Sequence, residues 1–337
     1  MAYRKNTVKR AYVPRRRTRQ RGLSGLWALL VFPLVLGFIY VLYARTETPI
    51  DATGPESGYE LPTEDCFYPE RQEQPVENDQ NPSGNVISVN SQSIDIPLIP
   101  MSLRYIDSTG YMALVNRQHP VLLKPSSYQL MGVWPTVAVS RVDGMYLHES
   151  ALRAVSEMFA SARQAGMSDF FVSSGFRSYA DQVQLYGDGS NSAFVQPPGH
   201  SEHHTGLAAD ILVMGIGMME MADTTEGRWL ADNSYRYGLI LRYPEGAMDI
   251  TGIAFEPWHF RYVGRVHAYY MKRNNFVLEE YLQYIRQHGH FYFNKNGVTY
   301  HVLYQVPYDG MIYVPDGPEF IVSKDNKGGY IVWTTIS

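Results

Sequence analysis

Cysteine is nearly absent: Cys66 stands alone in 337 residues. No intramolecular disulfide can form, so stability must come from a packed core or a bound metal. Cys66 lies in a polar stretch far from every motif and reads as a free thiol without a role. Familiar catalytic signatures are missing as well. None of the seven lysines has serine three positions earlier, and no Gly-x-Ser-x-Gly elbow occurs. Those two absences remove the common serine nucleophiles. His-Glu-x-x-His is also missing, so a hydrolytic metal site must be assembled from loops and strand ends and not from one helix. No segment repeats with a period of 20–50 residues, which argues against a solenoid.

Acid is absent from the first 21 residues, which hold nine Lys/Arg, although the whole chain has a net charge of −4. A basic arm of this kind serves nucleic acid or a membrane, and the next segment decides between them. Leu23 to Ala44 contains no charged residue in 22 positions. As a helix rising ~1.5 Å per residue it spans about 33 Å, against a hydrocarbon core of about 30 Å. Trp27, Tyr40 and Tyr43 sit near its ends, where interfacial aromatics belong. The expectation is a basic cytoplasmic arm (1–22), a single transmembrane helix (23–44) in the lipid bilayer of the cell, and everything later outside it. The span is longer than a signal-peptide core and lacks a clean cleavage site. Nucleic acid is not an expected partner.

From Thr46 to Asn85 the chain holds ten acids, one base and six prolines. Apolar residues are too sparse there to offset chain entropy, so residues 45–100 read as an extracellular disordered linker whose last part, Val86 to Pro100, can form a strand or lie along the domain. Residues 101–288 read as an α+β domain. Helices are expected at Ala151–Ala165, Arg177–Tyr186, Glu226–Tyr237 and Val277–His288, from apolar residues at helical spacing with Gly166, Gly238 and Gly289 as stops. Strands are expected at Phe170–Ser173, Leu207–Val213, Leu239–Tyr243 and Gly252–Phe255. No regular βαβ alternation appears, so the sheet is small and antiparallel. After Gly289 the apolar period changes to two, across the turn signal Asn296-Gly297. Residues 289–337 therefore read as a small β appendage.

Three segments concentrate reactive side chains: SSGFRSYADQ (Ser173–Gln182), PPGHSEHHTGLAADI (Pro197–Ile211) and FEPWHFRYVG (Phe255–Gly264). Amide hydrolysis by zinc needs three His, Asp or Glu ligands and an open position for water. His203, Asp210 and His259 can supply such a set, with Thr205-Gly206 as the bend that brings the first two to one point. Glu256 precedes His259 by three residues, across Pro257, and a carboxylate beside an activated water is a natural general base.

With SGFRS, SEHHTGLAAD and EPWHFRYVG in this order and spacing, the sequence resembles the VanY-type zinc D-alanyl-D-alanine carboxypeptidases. The likeness extends over Glu226–Gly246 and the helix VLEEYLQYI, from about Tyr105 to Tyr284. It implies Zn2+ held by His203, Asp210 and His259, with Glu256 as catalytic base. It also implies that Arg177, Gln182 and Ser201 position the substrate, and it favours His203 over the adjacent His204 as ligand. The implied activity is removal of the terminal D-alanine from peptidoglycan stem peptides, or lipid-linked precursors, ending in D-Ala-D-Ala. His204 and Ala247 depart from the family pattern, at the rim of the site. The same scaffold also suits an L,D-carboxypeptidase or a D,D-dipeptidase, and the reading from another class is a non-catalytic wall-binding module.

Overall fold

The computed structural model describes residues 96–134, 144–317 and 319–336. The expected basic arm, membrane span and nearly all of the linker lie outside these residues. Among the described residues, no helix is long and apolar enough to cross a membrane.

In chain order the elements are β1 (Leu98–Ser102), β2 (Ser108–Thr109), β3 (Leu130–Gly132), β4 (Tyr146–His148), α1 (Glu149–Gln164), β5 (Phe170–Ser174), α2 (Tyr179–Tyr186) and β6 (Ala208–Val213). They continue with α3 (Thr225–Asn233), β7 (Leu239–Leu241), α4 (Met248–Thr251), β8 (His259–Tyr262), α5 (Arg265–Asn274) and α6 (Leu278–His288). Five strands close the chain: β9 (His290–Lys295), β10 (Val298–Gln305), β11 (Met311–Pro315), β12 (Phe320–Lys324) and β13 (Tyr330–Ile336). The mixed α+β class expected from the sequence is observed, with small sheets.

The sheet that carries the motifs has four strands in the order β5-β6-β8-β7, every neighbour antiparallel. Helix α1 lies on one face. Its buried stripe, Leu152, Val155, Met158, Phe159 and Ala162, packs on Phe170, Val172, Ala209, Ile211 and Phe260. The i, i+3, i+4, i+7 spacing of that stripe is why the segment is helical. His148 starts the helix, its Nδ1 accepting from the Ser150 amide at 3.2 Å. Gly166, at φ +83, ends it, as the sequence suggested.

A second sheet runs β2-β12-β13-β10-β9. Asn296 and Gly297, at φ +53 and +84, make the two-residue turn between β9 and β10, with Lys295 opposite Val298. Alternation serves both faces here. Val302 and Ile331 pack on α5 and α6, while their neighbours Leu303 and Val332 face Ile312, Val314 and Val322.

The structure departs from the sequence reading in four places. Gly252–Phe255 is not a strand: Gly252, at φ +75, caps the short α4, and the chain then crosses irregularly toward Glu256. The segment expected as one helix over Glu226–Tyr237 is α3 followed by a 3-10 turn, Ser234–Tyr237. Helix α5 was not expected, because a histidine, His267, sits on its buried face among Val266, Ala268 and Met271 and breaks the apolar pattern. Finally, the C-terminal sheet is not built from the C-terminal residues alone. β2 joins it parallel to β12, while β1, which begins in the stretch expected to form a strand or lie along the domain, pairs with β11 in a separate two-stranded sheet.

Candidate metal and active site

His203, Asp210 and His259 converge, their donor atoms all within 4.8 Å of one another and all three side chains buried. Each arrives by a different local device. His203 sits in a 3-10 turn, Glu202–Thr205, capped by the Ser201 hydroxyl, which accepts from the His203 amide at 3.3 Å. Gly206 ends the turn in the left-handed conformation, φ +68, and redirects the chain into β6. That is the bend the sequence called for, and a side chain there would collide with Leu130 and the His148 amide. Asp210 lies in β6 directly opposite His259 in β8. His259 also closes a turn whose second residue is Pro257, with the His259 amide donating to the Glu256 carbonyl at 3.3 Å. The turn brings Glu256 Oε2 to 3.8 Å from His259 Nδ1.

The two imidazoles present different nitrogens. His203 Nδ1 is 2.7 Å from the Gly175 carbonyl, which can only accept, so the proton sits on Nδ1 and the Nε2 lone pair faces Asp210 Oδ2 at 3.4 Å. Gly175 is required for this approach: a Cβ there would come 2.4 Å from the Tyr146 carbonyl. His259 does the reverse. Its Nδ1 faces Asp210 Oδ1 at 2.9 Å and its Nε2 lies 3.4 Å from Glu202 Oε2.

Electrostatics follow from burial and neighbours. Burial alone would raise the Asp210 carboxyl, but His203 and His259 outweigh it and hold the group well below the usual carboxylate range. Burial lowers the His203 imidazole, as does Arg177. Burial would likewise lower His259, yet hydrogen bonds to Asp210 and Glu202 raise it to about 9. Glu256 is pushed up to about 8 by burial, against the opposing effect of His259. Three carboxylates and two imidazoles in one buried pocket, with Asp210 firmly ionised, form a place for a cation. The donor set is nitrogen and oxygen without sulfur, and the 3.4 Å from His203 Nε2 to Asp210 Oδ2 is about the edge of a tetrahedron with bonds of ~2.1 Å. The residues present fit a divalent metal of the zinc class.

Arg177 reaches the same place, its Nη2 3.9 Å from Asp210 Oδ2 and 2.8 Å from the Ser174 hydroxyl. Gln182, fully buried, accepts from Arg177 Nη1 at 3.0 Å and donates to the Gln196 carbonyl at 2.7 Å. Of the three residues expected to position substrate, Arg177 therefore borders the cluster, Gln182 holds Arg177, and Ser201 caps the turn that carries His203. His204 points elsewhere: its Nδ1 is 2.8 Å from the Arg177 carbonyl and its Nε2 accepts from the Gly199 amide at 3.1 Å. Ala247, the other departure from the family pattern, is buried and precedes α4.

Sequence reasoning missed Glu202, Arg242 and Arg261. Arg242 Nε and Arg261 Nη1 lie 2.8 and 2.9 Å from Glu202 Oε1. Arg242 also makes a two-pronged contact with Glu279 of α6, at 2.9 and 2.7 Å. Arg261 Nη2 donates to the Tyr111 and Ala113 carbonyls at 3.1 and 3.0 Å. The available signal was a charged residue inside each of two apolar runs, LILRY and HFRYV. A charge in such a run is buried and therefore paired.

Comparison with known proteins agrees with the geometry. Residues 144–265, which contain all three donors, Glu256 and Arg177, match the family VanY: D-alanyl-D-alanine carboxypeptidase. A D-alanyl-D-alanine carboxypeptidase of Enterococcus faecium is 32% identical over 283 residues, covering 82% of this chain and 90% of that protein. A bifunctional D-Ala-D-Ala dipeptidase and D-Ala-D-Ala carboxypeptidase, VanXYC of Enterococcus gallinarum, is 30% identical over 192 residues, covering 52% of this chain and 95% of that one. Among solved structures, the vancomycin resistance D,D-dipeptidase VanXYg in complex with a D-Ala-D-Ala phosphinate analog superposes with a TM-score of 0.61 at 26% identity, covering 72% of this chain and 99% of that chain. The chain belongs to the VanY family of D-alanyl-D-alanine carboxypeptidases.

Proposed function

We propose that this carboxypeptidase is zinc-dependent and removes the terminal D-alanine from peptidoglycan stem peptides, working outside a cell membrane to which residues 23–44 anchor it. The observation that carries the reading is the convergence of His203, Asp210 and His259 within 4.8 Å, with Glu256 beside them. These three residues hold the metal, which when bound supplies a Lewis acid for the carbonyl and lowers the pKa of water. The chain's own residues do the rest. Arg177 grips the free carboxylate of the substrate in a charge-assisted hydrogen bond. Glu256 takes a proton from the attacking water as its oxygen bonds to the carbonyl carbon before the terminal residue. As the C–N bond breaks, Glu256 passes that proton to the leaving amine. A group poised near neutral pH can both accept and return it.

The deciding experiment is mass spectrometry of a muropeptide pentapeptide incubated with purified protein, with and without a chelator. Loss of one alanine, abolished by chelation and restored by zinc, is the expected result. Chelator-insensitive cleavage, or acylation by penicillin, sinks the metallopeptidase reading. A dipeptidase reading is favoured by the two relatives that act as dipeptidases, and rates on free D-Ala-D-Ala against the pentapeptide separate the two.

A further inference from the structure

The steps above leave unused the buried group beneath His259. Glu202, Arg242 and Arg261 have 0 or 1% of their surface exposed. Ions are unfavourable in such a place unless paired, and apolar residues of similar volume support a fold as well. The arrangement of the contacts shows what the charges accomplish. Arg242 Nε donates to Glu202 Oε1 at 2.8 Å, and Arg261 Nη1 lies as an ion pair 2.9 Å from the same oxygen. The other oxygen, Oε2, is left to His259 Nε2 at 3.4 Å. Flanked by two guanidiniums, the carboxylate is an acceptor only.

We propose that Glu202 is a positioning residue for His259: its Oε2 holds a proton on Nε2, so that Nδ1, the nitrogen facing Asp210, is the one that would give up its proton and offer its lone pair to a bound metal. Arg242 and Arg261 fix Glu202 in that register. The proposal rests on the metal reading and deepens it. The two histidines offer opposite nitrogens because their fixed partners lie on opposite sides, the Gly175 carbonyl at His203 Nδ1 and Glu202 at His259 Nε2. A partner on the far nitrogen sets the tautomer of a ligating imidazole and raises its basicity. Here one oxygen is reserved for the ligand.

The test compares Glu202→Gln with Glu279→Gln, each of which removes one charge from the same cluster. In Glu202→Gln the amide oxygen must face the arginines, which leaves NH2 against His259 Nε2, donor against donor. Zinc affinity is measured by competition with a chromophoric chelator, and the His259 ring is followed by 15N NMR in the zinc-loaded protein. Both variants are expected to melt at lower temperature. Only Glu202→Gln should bind zinc tenfold to a hundredfold more weakly and lose the Nε2–H signature. Zinc binding within threefold of the parent in Glu202→Gln overturns the proposal. So does equal weakening in Glu279→Gln, which would mean a general effect of the cluster. If Glu202→Gln fails to fold, Glu202→Asp carries the test, since it keeps the charge but draws the carboxylate back from His259. Unchanged affinity there overturns the proposal too. A parent protein that binds no zinc overturns the metal reading, and this inference with it, before any variant is made.

Discussion

Asp210 and His259 face each other across the antiparallel pair β6–β8, with Asp210 Oδ1 2.9 Å from His259 Nδ1. Two donors set on adjacent strands are held by the sheet's own register, whereas His203 lies outside the sheet in a 3-10 turn. His203→Ala, Asp210→Ala and His259→Ala are each expected to lower zinc content and turnover together. Glu256→Gln should keep zinc and lose ~10²–10⁴-fold in turnover, as befits a proton carrier. Metal analysis beside single-turnover rates checks this, and a metal-free Glu256→Gln protein would contradict the role.

Arg177 should make the enzyme require a free C-terminus. A charge-assisted hydrogen bond contributes about 1.5–3 kcal/mol, so amidating the terminal carboxylate should reduce kcat/KM on the order of tenfold to a hundredfold. Arg177→Lys should lose similarly, since an ammonium cannot reproduce the planar fork that also meets Ser174 and Gln182. Equal rates on a pentapeptide and its amide would remove Arg177 from substrate binding.

Gly175→Ala places a methyl against the Tyr146 carbonyl. Overpacking costs about 1–3 kcal/mol, and the shift also moves the carbonyl that orients His203. Thermal melting should fall and zinc should bind more weakly. A variant that matched the parent in both would show that this approach is not constrained.

His267 predicts an acid-side loss of stability. Burial lowers its imidazole from 6.5 to about 3. Below pH 6.5 the unfolded chain binds a proton at this site that the folded protein refuses until about pH 3. Stability contributed by the neutral ring is therefore whole above pH 6.5 and is lost as pH falls toward 3, at up to about 1.4 kcal/mol per pH unit. His267→Phe should flatten that slope in denaturant titrations, whatever it does to stability at neutral pH. An unaltered slope would be the contrary result.

Membrane topology is tested by Glu60→Cys in a Cys66→Ser background. An impermeant thiol reagent should label intact cells. Labelling that appears only after lysis would place residue 60 inside.

Much of the site was legible in the sequence because its parts are local. Ser201, His203, Gly206 and Asp210 lie in ten consecutive residues, and Glu256 and His259 in one turn with proline, so spacing alone constrained where they point. Glu202 and Arg242, by contrast, meet across 40 positions, and Arg242 and Glu279 across 37. No local periodicity reports such pairs. The fold divides the same way. Helix α1 and the β9–β10 turn carry their own signals, whereas β2 is two residues long and is a strand only because β12 lies beside it.

The joining of β2 to β12 has a consequence for how the enzyme comes to exist. Ser323 Oγ donates to the Thr109 carbonyl, a contact across 214 positions, and Leu114 is held by Asp325 and Asn326 of the turn before β13. The carbonyls that receive Arg261 belong to this same early stretch. While the chain is being synthesised, Ser108, Thr109 and Leu114 lack these backbone partners until the final strands emerge. Closing so long a loop is slow, and the segment whose carbonyls receive Arg261 is tied down at both ends only after it closes. A polypeptide arrested before β12 thus carries every residue of the candidate site and lacks the strands that pin the segment receiving Arg261.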